Sequence, residues 1–573
     1  MVSTIPPKHS EPNSEVRQLE SARPSSAGKI SSRFAVIVIL LVTFAGSMAL
    51  FGLGNNAFWD DEANTALFGR NLLQTGKLTA FDGQNVIGFR QGAELDSNLV
   101  NVYMPPVQYY VAALGLKFLG GTTVGGRIPF VLAGLATIAV LAAFARWHFK
   151  NSVPPWLPPL LVAANPAYLM FIRQCRYYSI VALLTVTILA TFSCHKSNSR
   201  GQLAATAIGA LTAGVLMFTN YLDAVALAAV LPAFFLLRRY RSRANVYLMG
   251  SVYLAMLMAG AYVLYTANPL VVSVSYKNTV TGLHRTILLL WWHIVGLPQF
   301  EFFPWVTPLL LLTMRFIFRN GPAARLVRES FLICGVLILY SVTIVAFSPQ
   351  TVTDFTRLAD MRYVVALMPI GAMATAGALT AAWHLSRTLG PVLAVVSGSL
   401  LLGTNLFTSA CAGWQPLRSS LYEYLAENAH DYITGNEAII EYVSRLPKSS
   451  VIRVIPDFMA YPAMFYAPYQ HYCCQLHDDY QTKSKPSTPL PSYVYFNKVL
   501  PDYILVGGDI EPQQLLLQCA SAFGPGRYHL LPSFGRDFRD YSRPEIPWHS
   551  FGPPPNSKRG FTVLERVRTA PRK

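Results

Sequence analysis

The chain has 573 residues, 52% hydrophobic and only 13% charged, with a mean hydropathy of +0.35. Soluble domains carry about twice that charged share, so one large soluble core is excluded. The net charge of +17 does not point to nucleic acid, because Lys and Arg cluster in short loops between apolar runs, as the positive-inside bias requires, with no basic-aromatic platform among them.

Residues 1–33 are polar and rich in Ser, Pro and charge, and read as a disordered cytoplasmic tail. The next run, Phe34–Leu53, is too long for a signal-peptide core and lacks a small-residue cleavage site, so it reads as a retained first span. A bilayer crossing needs roughly 20 apolar residues. Runs near that length follow at Arg127–Ala145, Trp156–Ile172, Tyr177–Cys194, Leu203–Thr219, Leu222–Leu237, Val246–Tyr265, Trp305–Phe318, Phe331–Phe347, Met361–Ala381 and Leu389–Cys411. Two segments are compromised. Met104–Leu119 is shorter and opens on Pro105-Pro106, and Leu283–Leu297 contains His284, Arg285 and His293. The expected fold is an all-α polytopic bundle of about 11 to 13 spans over residues 34–413.

Loop charge sets the expected orientation. The basic loops at Arg146–Lys150, Lys196–Arg200, Arg238–Arg243 and Arg315–Arg328 belong in the cytoplasm. Alternation then puts Arg173–Arg176, 268–304, 348–360 and everything after Cys411 outside. Lys29 and Arg33 hold the N-terminus inside, so 54–103 is outside too. Parity survives only if Met104–Leu119 makes no net crossing.

Residues 414–573 are rich in Tyr, Pro and charge and hold no spanning run. Helices are expected at Glu437–Leu446 and Gln513–Ala522, and short strands at Val451–Ile455, Tyr503–Val506 and Phe561–Glu565. This predicts a small extracytoplasmic α/β domain. Of seven cysteines none forms a metal-type CxxC pair; outside the cytoplasm, Cys473 or Cys474 is expected to bridge to Cys519.

The first external loop, 54–103, opens Phe58-Trp59-Asp60-Asp61-Glu62 and continues into a helical pattern that ends at Gly76. Two readings of the acidic trio stand side by side. Negative charge at a helix start is favoured by the helix dipole. Three adjacent carboxylates also raise one another's pKa, which suits one of them to accept a proton or to hold a divalent cation against a phosphate leaving group. Asp223, near a span start, is a further candidate, as a cap or a functional acid. Glu94 and Asp96 read as loop solvation.

Several motifs carry a resemblance. Trp59-Asp60-Asp61-Glu62-Ala63 with Arg70-Asn71-Leu72-Leu73, Met104-Pro105-Pro106-Val107-Gln108-Tyr109-Tyr110, Gly126-Arg127-Ile128-Pro129, Arg173-Gln174-Cys175-Arg176-Tyr177-Tyr178-Ser179, Phe218-Thr219-Asn220-Tyr221 and Met361-Arg362-Tyr363 occur in order. Together they resemble GT-C fold membrane glycosyltransferases: the protein mannosyltransferase superfamily with the aminoarabinose lipid A transferases and Rgt-like bacterial enzymes. Arg543-Pro544-Glu545-Ile546-Pro547-Trp548-His549 is similar to a C-terminal stretch of bacterial members. The sequence departs from the family at Tyr103-Met104, where His or Lys is frequent, and at Asn220, where His is frequent.

The resemblance implies inverting transfer of a sugar from a polyprenyl-phosphate donor to an extracytoplasmic lipid, glycan or protein acceptor. Asp61 would be the base, with Glu62 and Asp60 orienting the acceptor or a cation. Arg362, Arg176 and Arg173 would meet the donor phosphate, and Tyr177, Tyr178, Tyr363 and Tyr221 would line the substrate. No cofactor is implied beyond that divalent cation. The partners would be membrane lipid, carrier and acceptor, in the inner or plasma membrane. The rival classes are a lipid or glycan transporter, which would show internal repeats that are not visible here, and a non-catalytic envelope-assembly protein.

Overall fold

The computed structural model describes residues 32–194, 199–235, 241–266, 282–347, 361–411, 413, 415–478, 480, 486–496, 498–507, 512–534, 543–546, 549, 551–552 and 560–567. The N-terminal tail, the basic residues at 196, 238 and 239, the proposed outer stretch 348–360 and all of 268–281 lie outside them.

The described residues form a helical bundle that carries a small sheet domain at its C-terminal end. Five helices are long and apolar enough to cross a membrane: Ser32–Leu50, Thr123–Phe149, Ser199–Thr219, Arg243–Thr266 and Gly321–Phe347. Shorter apolar helices complete the bundle, among them Val107–Leu119, Tyr178–Ser193, Leu367–Trp383 and Leu389–Gly403. The chain is an integral membrane protein.

Three expected spans differ from what forms. Trp156–Ile172 is two short helices, Leu157–Ala163 and Pro166–Ile172. The break falls at Asn165 because the following proline disfavours a helical residue before it, and Asn165 then caps the second helix through Tyr168 N at 2.9 Å. Met361–Ala381 is a short 3-10 turn, Met361–Val364, followed by the Leu367–Trp383 helix. Leu389–Cys411 ends its helix at Gly403 and continues as a separate turn over Leu406–Ala410.

The Val107–Leu119 helix spans about 20 Å at 1.5 Å per residue, well short of the ~30 Å hydrocarbon core. Gln108 at its start lies beside Thr65 (3.5 Å). Just past its end, Gly120 abuts Gly125 of the next helix, whose Arg127 pairs with Glu62. One end of the helix therefore packs on the Asp60–Thr75 helix and the other on the helix that pairs with Glu62, and its length falls short of a span.

The C-terminal sheet has strand order β2-β1-β3-β5-β4, with β1 Val451–Ile455, β2 His471–Tyr472, β3 Tyr503–Val506, β4 Tyr528–Phe534 and β5 Phe561–Arg566. β1 runs parallel to β2 and β3, and β5 runs antiparallel to β3 and β4. The expected helices and strands are present; β2, β4 and the helices Ser420–Asn428 and Ala460–Tyr466 were not anticipated. No cysteine forms a disulfide, and Cys473, Cys474 and Cys519 are buried, so the expected bridge does not form.

The first loop does not stand apart from this domain. Phe58, Leu67, Phe68, Val86 and Ile87 share one apolar core with Ile439, Ile452, Tyr461, Phe465 and Val563. Polar ties reinforce it: Arg70 donates to the Phe465 carbonyl at 2.9 Å, and Asn85 donates to the Gln470 carbonyl at 2.9 Å and accepts from Tyr472 N at 2.9 Å.

Candidate active site

A helix runs from Asp60 to Thr75, with Trp59 as its N-cap, so the acidic trio forms the first turn. Its three members part company there. Glu62 is fully buried. Its carboxylate accepts from Arg127 Nε at 2.8 Å and Arg127 Nη2 at 2.6 Å, from Cys175 N at 2.7 Å, and from Trp59 N at 3.4 Å. Such a bidentate, fully bonded pair is a structural pin; it fixes the first turn against the Thr123–Phe149 helix and the 173–176 segment. Glu62 thus positions its neighbours and leaves no oxygen for a substrate.

Asp61 turns the other way. Its Oδ2 accepts from Arg362, and its Oδ1 lies 3.4 Å from Arg176 Nη2. Arg176 also donates to Thr65 Oγ1 at 3.1 Å. Asp61 and Arg362 keep 27% and 23% of their side-chain surface exposed, against 6% for Arg176, so these two are the accessible members. Asp60 Oδ1 accepts from Asp61 N at 2.9 Å.

The electrostatics separate the two aspartates. Burial and the charge of Asp61 push Asp60 up to about 6, against the opposing pull of Arg543 and Arg362. Burial also acts on Asp61, but Arg176, Arg362 and Arg543 outweigh it and hold its carboxyl below the usual range. Arg543 also lies 5.7 Å over the Trp59 ring. It was not among the expected site residues; the resemblance of the 543–549 stretch was the one signal for it, and that stretch is too distant in the chain for spacing to place it.

Arg173 stands away from this cluster. It donates to Tyr424 Oη at 2.9 Å, to Asn428 and to the Gly52 carbonyl at 2.7 Å, tying the Ser420–Asn428 helix to the bundle. Tyr177 and Tyr178 pack together at 4.8 Å, and Arg176 lies 5.5 Å over the Tyr177 ring. Arg362 lies 5.8 Å over Tyr363. Tyr221 donates to the Tyr103 carbonyl. Glu94, expected to be solvated, is buried at 3% exposure, whereas Asp96 caps its own turn through Asn98 N and Val100 N. Asp223 is buried and accepts from Tyr340 of the Gly321–Phe347 helix, so it serves as a polar link between helices. Among the described residues no three His, Cys, Asp or Glu side chains converge as a metal site; the charge facing Asp60 and Asp61 is that of three arginines.

No protein-family model matches the chain, and no curated protein sequence matches it significantly. Solved structures do match. ArnT from Cupriavidus metallidurans in the apo state aligns at a TM-score of 0.53 and 15% identity, over 93% of this chain and 98% of its own. ArnT bound to undecaprenyl phosphate aligns at 0.52 and 15% identity, over 92% and 97%. The chain has the GT-C fold. At this identity the likeness is one of architecture; within the GT-C fold the residues that act are those that this chain's own contacts assemble.

Proposed function

We propose that this chain is a membrane glycosyltransferase that moves a sugar from a polyprenyl-phosphate carrier to an acceptor outside the cytoplasm. The observation that carries the reading is the partly exposed Asp61 carboxylate flanked by Arg362 and Arg176 in a GT-C fold. That ArnT is known bound to undecaprenyl phosphate supports the carrier class. Asp61 takes a proton from an acceptor hydroxyl or amine, whose lone pair forms a bond to the anomeric carbon. The bond from that carbon to the phosphate oxygen breaks, and the polyprenyl phosphate leaves with the electron pair. Attack and departure on opposite faces invert the configuration. Arg362, Arg176 and Arg543 meet the phosphate charge.

The same arginines explain how Asp61 becomes basic enough. They depress its pKa in the unliganded site; a bound phosphate engages them and lifts that depression, so the donor activates the base. A second reading has its own support: Asp60, at about 6, is already matched to accept a proton near neutral pH.

The test uses cells that carry Asp61→Asn in place of the native chain. Their envelope glycans should match those of a deletion, while the purified variant folds and still binds undecaprenyl phosphate. Native glycans at normal protein level would overturn the proposal. A cation requirement is checked by an in vitro transfer assay with the purified chain in chelator, where the arginine-based reading expects activity to persist.

A further inference from the structure

Three tyrosines on three separate elements converge on Asp61. Tyr109 lies on the Val107–Leu119 helix, Tyr178 opens the Tyr178–Ser193 helix, and Tyr461 belongs to the Ala460–Tyr466 helix of the outer domain. They are 0%, 0% and 2% exposed, yet none of their hydroxyls has a hydrogen-bond partner. Each lies within electrostatic reach of Asp61. Tyr109 and Tyr178 also feel Arg176, and Tyr461 also feels Asp60. Gln108 Nε2 and Arg176 Nε, equally buried, are unsatisfied as well.

Buried polar atoms are almost always bonded, because leaving one without a partner is costly. Five such atoms around one carboxylate mark a place where the fold leaves bonding to a guest. The guest's chemistry follows from the mixture. A phosphate wants donors only, and the arginines already supply them. A phenol hydroxyl both donates and accepts, as a sugar hydroxyl does, and its ring offers a flat apolar wall to the C–H face of a pyranose.

We propose that Tyr109, Tyr178 and Tyr461 form a hydroxyl-reading collar for the sugar being transferred, so that the site selects a glycosylated carrier over the bare one. The collar rests on the glycosyltransferase reading above. Tyr461 comes from the outer domain, which is locked onto the site helix by Arg70 to the Phe465 carbonyl (2.9 Å), by Phe58 against Phe465 (5.1 Å) and by Phe58 N to Tyr466 Oη (3.1 Å). Sugar selection is therefore a joint property of bundle and outer domain.

The test measures equilibrium binding to the full chain in nanodiscs. The probes are undecaprenyl phosphate and undecaprenyl phosphate bearing glucose, mannose or arabinose. The wild type should bind at least one glycosylated carrier about a hundredfold more tightly than the bare carrier, the combined worth of three hydrogen bonds. Tyr109→Phe, Tyr178→Phe and Tyr461→Phe should each remove about fivefold of that preference, the worth of one hydrogen bond, and leave bare-carrier affinity unchanged. Since each substitution deletes only an unbonded hydroxyl, the melting temperature should hold or rise; a drop would show that the hydroxyl supports the fold and would overturn the collar. Equal affinity for bare and glycosylated carriers, or unchanged preference in the three variants, would overturn it too and leave the hydroxyls to ordered water. Absence of any carrier binding to the wild type would instead sink the glycosyltransferase reading.

Discussion

Asp60, Asp61 and Glu62 are adjacent in sequence and have three different fates. The helix turns each by about 100°, so one points at the Arg127 pin, one at the arginine cluster and one between. Glu62 is the member whose loss should be structural. Glu62→Ala leaves Arg127 buried without its counter-charge, and breaking such a pair costs about 3–5 kcal/mol; a large fall in melting temperature in detergent, at any pH near neutral, checks this. Asp60 should govern the pH response. Its pKa of about 6 lies above the ordinary 3.8, so its negative charge, which makes the adjacent Asp61 a stronger base, is gained as pH rises through 6. kcat/KM should climb across that region and level off above it, and Asp60→Asn should erase the inflexion. The same shift means that the folded state binds the proton more tightly than the unfolded chain, so stability falls as pH rises from about 4 to 6. Asp60→Asn should therefore melt no lower than the wild type at pH 7.

The Asp60–Thr75 helix reaches its place by close backbone approach. At Gly69 an added Cβ would lie 3.0 Å from Ala113 N and 3.2 Å from the Tyr109 carbonyl, so the Val107–Leu119 helix can pack directly against it. Gly69→Val should force the two helices apart at about 1–3 kcal/mol. Thermal melting should show the loss, and transfer activity should fall further than stability alone accounts for, because Gln108 and Tyr109 move with the displaced helix. The 104–119 segment was ambiguous as a sequence because its apolar length sits between a core helix and a span. Its neighbours place it: one end meets Thr65 of the acidic helix and the other meets Gly125, on the helix whose Arg127 pairs with Glu62.

Across the whole molecule, Asp61, Arg176 and Arg362 meet on one side of the bundle, and the C-terminal sheet domain shares its core with the first loop on that same side. With Cys411 replaced, single cysteines at exposed Lys77 and Glu441 should react with an impermeant thiol reagent in intact cells. Cysteines at exposed Arg241 and Arg319 should react only after permeabilisation. Labelling of position 241 in intact cells would refute the orientation argued from loop charge.

The sequence by itself determined the membrane class, most of the bundle's apolar segments, and the C-terminal domain's strands at Val451–Ile455 and Tyr503–Val506. All of these follow from local composition and periodicity, which the chain carries in every short window. It also singled out Asp61 and Arg362, through motifs that keep their order. Tertiary structure alone decided that Glu62 is spent on Arg127, that Arg173 braces the Ser420–Asn428 helix, and that Arg543 and Tyr461 from the far end of the chain face the site. Those outcomes depend on contacts between residues up to several hundred positions apart, and no local pattern encodes which buried charge will find which partner.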